Sequence, residues 1–304
     1  MKNLFTKCNS QRIAFFLIML VILVIACLAY MYNYYFSSDA NNIVDSREDF
    51  WLVENSSLGR AALEYPDQDA IQPLKKKAKL ALIIDDFGNN GEGTLEMMTI
   101  DRPMTFAVLP FMKYTQRDAV NAHENGHEVL IHMPMETSRG KSGGLGNGAI
   151  RTSQTSEEIK SLVQTAIKDV PYAIGANNHM GVIASSDDRV VTALISVLKE
   201  HGLFIIDSKT TPKSVIYKVA EKQDLFVIEM SLFIDNEKDK ELIKDNLRKL
   251  SEIAMKRGYA VGIGHVGPLG GYETAHAIKE MIPELEANNI IFTPVSELIR
   301  DKYK

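Results

Sequence analysis

LALIIDD, residues 80–86, is a short apolar run closed by two carboxylates, Asp85 and Asp86, and its form recurs along the chain. Five further β-type runs end in acid, imidazole or amide residues. They are HEVLIHMPME (127–136, with His132 and Glu136), AIGANNHMG (173–181, with Asn178 and His179), LFIIDS (203–208, with Asp207), LFVIEMS (225–231, with Glu229) and AVGIGH (260–265, with His265). MTFAVLP (104–110) is a seventh run without a titratable group. Amphipathic stretches separate the runs and predict helices near 91–99, 116–125, 156–168, 187–200, 212–221, 237–257 and 272–281. IIFTPV and a final helix follow. Apolar strands alternating with such helices call for parallel pairing with both faces of the sheet covered. Seven or eight such units close most simply into an α/β fold, an irregular (β/α) barrel of parallel strands over residues 78–304. In such barrels functional groups come from the carboxyl ends of the strands, where the polar endings fall here.

At 304 residues and 45% hydrophobic content the chain has room for one barrel-sized domain and an extension. A net charge of −5 argues against nucleic acid, whose binding draws on clustered Lys and Arg. Residues 1–12 carry Lys2, Lys7 and Arg12, and the apolar run from Ile13 to Tyr30 follows. Its 18 residues at helical rise cover about 27 Å, close to a bilayer's hydrocarbon thickness. With its aromatic flank, 13–36 is expected to be a transmembrane anchor. The positive-inside rule then places the rest outside the cytoplasm as a single-pass protein. The alternative is a lipoprotein attached through Cys27, since VIAC (24–27) resembles a processing box. The only other cysteine is Cys8, so the domain has no disulfide. Residues 37–77 are polar and read as a stalk. Nothing in the sequence sets an oligomeric state.

The residue types suggest a chemistry. Asp86, His132 and His179 form a carboxylate and two imidazoles that could hold zinc or a similar divalent ion with a position left open. Adjacent strand residues face opposite ways, so Asp85 and Asp86 can share a site only where the strand breaks, for which Phe87-Gly88-Asn89-Asn90 is the expected place. Asp85 would then be a base and His265 an acid on the far side. Asn178 and Asp207 are candidate substrate contacts, the alternative for Asp207 being a cap on its own loop. Glu136 has a salt bridge to Arg139 as its alternative.

IIDDFG, GHEVLIHMPME, GANNHMG, LFIIDSKTT and AVGIGHVGP, in this order, resemble the divergent polysaccharide deacetylases, a branch of the metal-dependent carbohydrate esterases with an irregular (β/α) barrel. The resemblance runs from about Lys79 to the C-terminus. It implies Asp85 as general base, Asp86 and His132 as metal ligands and His265 as the group protonating the leaving amine. Two departures stand out. Glu136 occupies the place of the family's second motif histidine, so either Glu136 or His179 completes the metal shell. The Arg-x-Pro-aromatic segment that orients the base is not recognisable, and Met230 stands where an arginine is expected. The implied activity is removal of acetyl groups from an N-acetylated polysaccharide or cell-wall glycan. The alternative is a barrel that binds a glycan or an envelope partner without catalysis.

Overall fold

The computed structural model describes residues 77–137, 145 and 148–304. The expected cytoplasmic segment 1–12, the anchor 13–36, the stalk through residue 76 and most of the glycine-rich stretch 140–148 lie outside the described residues. Among the described residues no helix is long and apolar enough to cross a membrane.

Among the described residues nine strands make one sheet: β1 (Ala78–Phe87), β2 (Thr105–Val108), β3 (Glu128–Met135), β4 (Ala173–Met180), β5 (Phe204–Asp207), β6 (Val227–Glu229), β7 (Leu232–Phe233), β8 (Tyr259–His265) and β9 (Ile290–Phe292). The helices between and after them are α1 (Thr94–Met98), α2 (Thr115–Glu124), α3 (Ser156–Asp169), α4 (Asp188–Glu200), α5 (Ile216–Lys222), α6 (Lys240–Arg257), α7 (Gly271–Ala287) and α8 (Val295–Lys302). All pairings are parallel, in the order β6-β5-β4-β3-β2-β1-β8-β7, with β9 set against the first residues of β1. The expectation of seven or eight strands in a barrel needs one correction. LFVIEMSLF is two strands, because Met230 N–H donates to Asp207 on β5 whereas Ser231 N–H donates to Val261 on β8. The chain changes neighbour between residues 230 and 231. β6 and β7 are therefore the ends of the sheet and share no ladder, and the fold is a curled half-barrel.

Local signals account for most helix limits. Thr155 and Glu158 form a reciprocal capping box at the start of α3, Asp239 caps α6, and Gly258 ends α6 in the left-handed conformation. Asp187 caps α4, directly after a 3₁₀ turn over Ala184–Ser186. Two limits differ from expectation. A turn in which Ser214 N–H donates to Thr211 delays α5 beyond Pro212. α7 runs through Pro283 to Ala287, with Met281 and Leu285 buried on either side of the proline.

The two faces of the sheet pack differently. Leu80, Leu82, Ile84, Val129, Ile131 and Ile205 face the helices, while Ala81, Ile83, Leu130, Ile206, Val261 and Ile263 fill the inside of the curl. This is the period-2 alternation of strands expressed as two cores. Val295, Leu298 and Ile299 of α8 join the inner one. α8 lies across the amino ends of the strands: Thr105 accepts from Val295 N–H, Glu128 accepts from Ser296 N–H, Lys79 pairs with Glu297 and Asp301, and Lys302 donates to Val227. The amino end of the curl is thus floored with side chains, and polar groups collect at the carboxyl end. Leu298→Ala should remove part of that floor and lower unfolding free energy by about 2–5 kcal/mol. Urea denaturation of the two proteins side by side measures it.

Candidate active site

Alternation along the strands decides which polar residues reach the inside. Asp85 follows Ala81 and Ile83, His132 follows Leu130, and His265 follows Val261 and Ile263, all on the inner face. On β4 the inner positions are Asn177 and His179. Asp86 would point outward on a regular strand, but it has φ 72°, and the β1–β2 register shifts between Ile84 and Phe87. Aspartate enters this left-handed region more readily than most residues, at a cost on the order of 1 kcal/mol. The break that lets both carboxylates share the site is therefore a bulge at Asp86 itself. Phe87 remains in the strand, buried and stacked on Phe106 at 4.6 Å, so the expected break over residues 87–90 is corrected.

Asp86, His132 and His179 offer ligand atoms that all lie within 4.8 Å of one another. Asp86 Oδ1 is 3.3 Å from His132 Nε2 and 3.2 Å from His179 Nδ1, and those two nitrogens are 3.0 Å apart. Asp86 Oδ1 is buried and lacks a partner of hydrogen-bonding geometry among the described residues. His132 Nδ1 faces the Asn177 carbonyl oxygen at 2.8 Å, which places the proton on Nδ1 and leaves the Nε2 lone pair toward Asp86. An orphaned carboxylate oxygen and converging imidazole nitrogens fit a divalent cation.

Electrostatics agree with that fit. Burial opposes ionisation of Asp86, but the close imidazoles of His132 and His179 and their charge outweigh it and hold the carboxyl far below its usual range. Burial pushes Asp85 up, against the pull of His132 and His265. Burial would lower His132, yet the carboxylates of Asp85 and Asp86 raise it. Two buried carboxylates thus create a field that calls for positive charge.

Glu136 stands outside this group. Its Oε2 accepts from the backbone and the hydroxyl of Thr152, at 2.8 and 2.7 Å, beyond the end of β3. Of the two candidates for completing the shell, the structure brings His179 to Asp86 and His132 and does not bring Glu136. Asn178 lines the cleft, but its side chain braces loops: it donates to Met180 O and accepts from Ser208 N–H. Asp207 has outward parity and caps its loop, accepting from Lys209 N–H and the Ser214 hydroxyl. Burial raises its pKa, and it does not line the cleft. Asp207 thus takes its alternative role as a cap on its own loop, while Asn178 keeps a place on the cleft wall.

Two residues went unread in the sequence. Asn177 reaches across the curl from β4 to β1, donating to Asp85 Oδ1 at 2.8 Å while accepting at His132. It supplies the orientation of Asp85 for which no arginine segment is present, and Met230 packs against the inner core. Counting back two from His179 would have found it. Asp235 accepts from His265 N–H (2.6 Å), His265 Nδ1 (2.8 Å) and the Thr274 hydroxyl (2.8 Å). Gly270 permits this, since a Cβ there would lie 2.2 Å from Asp235 Oδ2 and 2.0 Å from Thr274 Oγ1. Asp235 shares the parity of Phe233, but β7 is only two residues long and gave no visible strand to count from.

Burial disfavours charge on His265, but the Asp235 hydrogen bond and charge prevail and raise its pKa to about 9, from an ordinary 6.5. A proton held more tightly in the folded than in the unfolded state stabilises the fold. That contribution is complete below pH 6.5 and disappears as pH rises through about 9. Melting temperatures of the metal-free protein should therefore fall over this window, and Asp235→Asn should flatten the profile.

The family model of divergent polysaccharide deacetylases matches residues 82–299. The uncharacterized protein YibQ of Escherichia coli K12 is 29% identical over 223 residues, covering 73% of this chain and 68% of that protein. An uncharacterized protein of Haemophilus influenzae is 31% identical over 192 residues, covering 63% and 68% respectively. A solved structure of an uncharacterized protein from Agrobacterium tumefaciens C58 has TM-score 0.67 and 18% identity, covering 73% of this chain and 89% of that one, which shows a common fold. With the match extending from β1 into α8, across every strand that lines the cleft, the chain belongs to the divergent polysaccharide deacetylase family.

Proposed function

We propose that the domain is a metal-dependent hydrolase that removes acetyl groups from an N-acetylated glycan. The observation that carries this reading is the convergence of Asp85, Asp86, His132, His179 and His265 on one cleft of about 190 Å³ at the carboxyl end of the sheet. Asp86, His132 and His179 would hold the ion, and two imidazoles with one carboxylate suit zinc. When bound, the ion would supply Lewis acidity toward the acyl carbonyl and the attacking water.

The chain's own groups divide the remaining work. Asp85 Oδ1 is committed to Asn177, while Oδ2 lies 3.6 Å from His132 Nε2, beside the group that would hold the ion. That oxygen can take the proton of the attacking water, and a carboxylate whose pKa is raised by burial is a better base than an exposed one. His265 uses Nδ1 on Asp235, which leaves Nε2 for the cleft. Its raised pKa keeps it protonated at neutral pH, as a donor to the departing amine must be. Water adds to the acyl carbon, the carbon–nitrogen bond breaks, and acetate and a free amine leave. The apolar run of residues 13–30 supports tethering the domain at a membrane, on the side where envelope glycans lie.

Metal content and acetate release from N-acetylglucosamine oligomers and peptidoglycan test the reading together. Asp86→Ala and His179→Ala should each lose the bound ion, whereas Glu136→Ala should keep it. Asp85→Asn should retain the ion and lose roughly 10²- to 10⁴-fold in turnover, the range for a missing general base. Equal turnover in Asp85→Asn and wild type would remove the mechanism. Bound metal without acetate release from any acetylated glycan would leave the non-catalytic barrel.

A further inference from the structure

We infer that Leu269 is a specificity residue, packing against the C–H face of the sugar ring seated in the cleft; this rests on the hydrolase reading and extends it to how the glycan is held. Leu269 lines the cleft and is 49% exposed, so a ligand there can touch it. It lies on the loop between β8, which ends at His265, and α7. A single half-exposed leucine is ordinary on a protein surface, and what sets this one apart is how its loop is held.

The loop is fixed along its length. Val266 N–H donates to Asp85 O at 3.1 Å, Gly267 N–H donates to Glu92 O at 2.7 Å, and α7 begins at Gly271. The β1–α1 loop comes so close that a Cβ at Gly91 would lie 2.8 Å from Gly267 Cα. Glu92 also pairs with Lys238 at 2.8 Å, tying in the segment after β7. Backbone contacts therefore keep Leu269 at the cleft, and its side chain is in place before any ligand arrives.

The cleft has two unlike walls. One arm of the sheet, β8 and β7, brings Leu269 and Phe233, whose ring is stacked on His265 at 5.8 Å. The other arm brings Asn178 and His179 from β4 and Thr210 from beyond β5. A pyranose has the same asymmetry, with C–H groups across its face and hydroxyls around its edge. With that face on Leu269 and Phe233, the ring lies beside His265 and its hydroxyls turn to the polar wall. Among the described residues no Lys or Arg lines the cleft, which suits an uncharged ring.

Steady-state deacetylation and calorimetric affinity, both with the β-1,4-linked N-acetylglucosamine tetramer and the full chain, test the assignment. Affinity is read in the Asp85→Asn background so that the ligand survives. Leu269→Ala should raise KM and Kd together, roughly 3- to 10-fold, the worth of part of one leucine side chain, with kcat within about twofold of wild type. Leu269→Met, which keeps the apolar volume, should hold both near their wild-type values. An unchanged Kd in Leu269→Ala overturns the assignment, while acetate release by the wild type leaves the hydrolase reading standing. A fall in kcat at unchanged Kd also overturns it, because the leucine would then act through its loop on His265. Absence of both tetramer binding and acetate release removes the hydrolase reading and this inference with it.

Discussion

Two carboxylates and two imidazoles are packed into one buried end of a curled sheet, and negative charge held so far from water needs a positive partner. Asp86 Oδ1 lies within 3.3 Å of two ring nitrogens, and Asp85 is nearly inaccessible behind them. Much of the surrounding architecture serves to keep these groups together. The bulge at Asp86 turns a second carboxylate inward, Asn177 ties β1 to β3 through β4, and the αL conformation at Asp86 is tolerated because the neighbouring ladders over-determine it.

The opposite wall is organised by a single carboxylate. Asp235 binds the backbone and the ring of His265 together with the Thr274 hydroxyl, so the imidazole's tautomer and orientation follow from one buried group. β1 and β8 are neighbours with Asp85 and His265 in register, so the candidate base and acid sit on adjacent strands. The Asp86–His132–His179 group extends from there toward β4. An acyl group in the cleft would meet these functions from different sides, which hydrolysis of an amide requires.

How much of this was legible in the sequence follows from how each residue is placed. Asp85, Asp86, His132, His179 and His265 close apolar runs, so their location at one end of a parallel sheet could be read directly. Parity separates the rest: Asn177 faces inward beside Asn178, and Ile206 and Ser208 hold the inner positions on either side of Asp207. Glu136 has inner parity but lies past the end of β3, where Thr152 takes its carboxylate. Asp235 was hidden for a different reason: the segment before it changes strand partner at residues 230–231, and no local pattern records which neighbour a two-residue strand will choose. Such choices are tertiary, set by the curl of the whole sheet.

The floor at the amino end of the strands has a consequence for synthesis. β1 is made early, yet residues 78–80 find β9 only at residues 290–292, and α8 follows later still. A nascent chain can hold all three cluster residues by position 179 while the apolar lining of the curl remains uncovered for another hundred residues. Closure is therefore a late, long-range event, and folding should be slow relative to domains built from local contacts. Until the final helix emerges, the half-made sheet depends on whatever shields exposed apolar surface during translation.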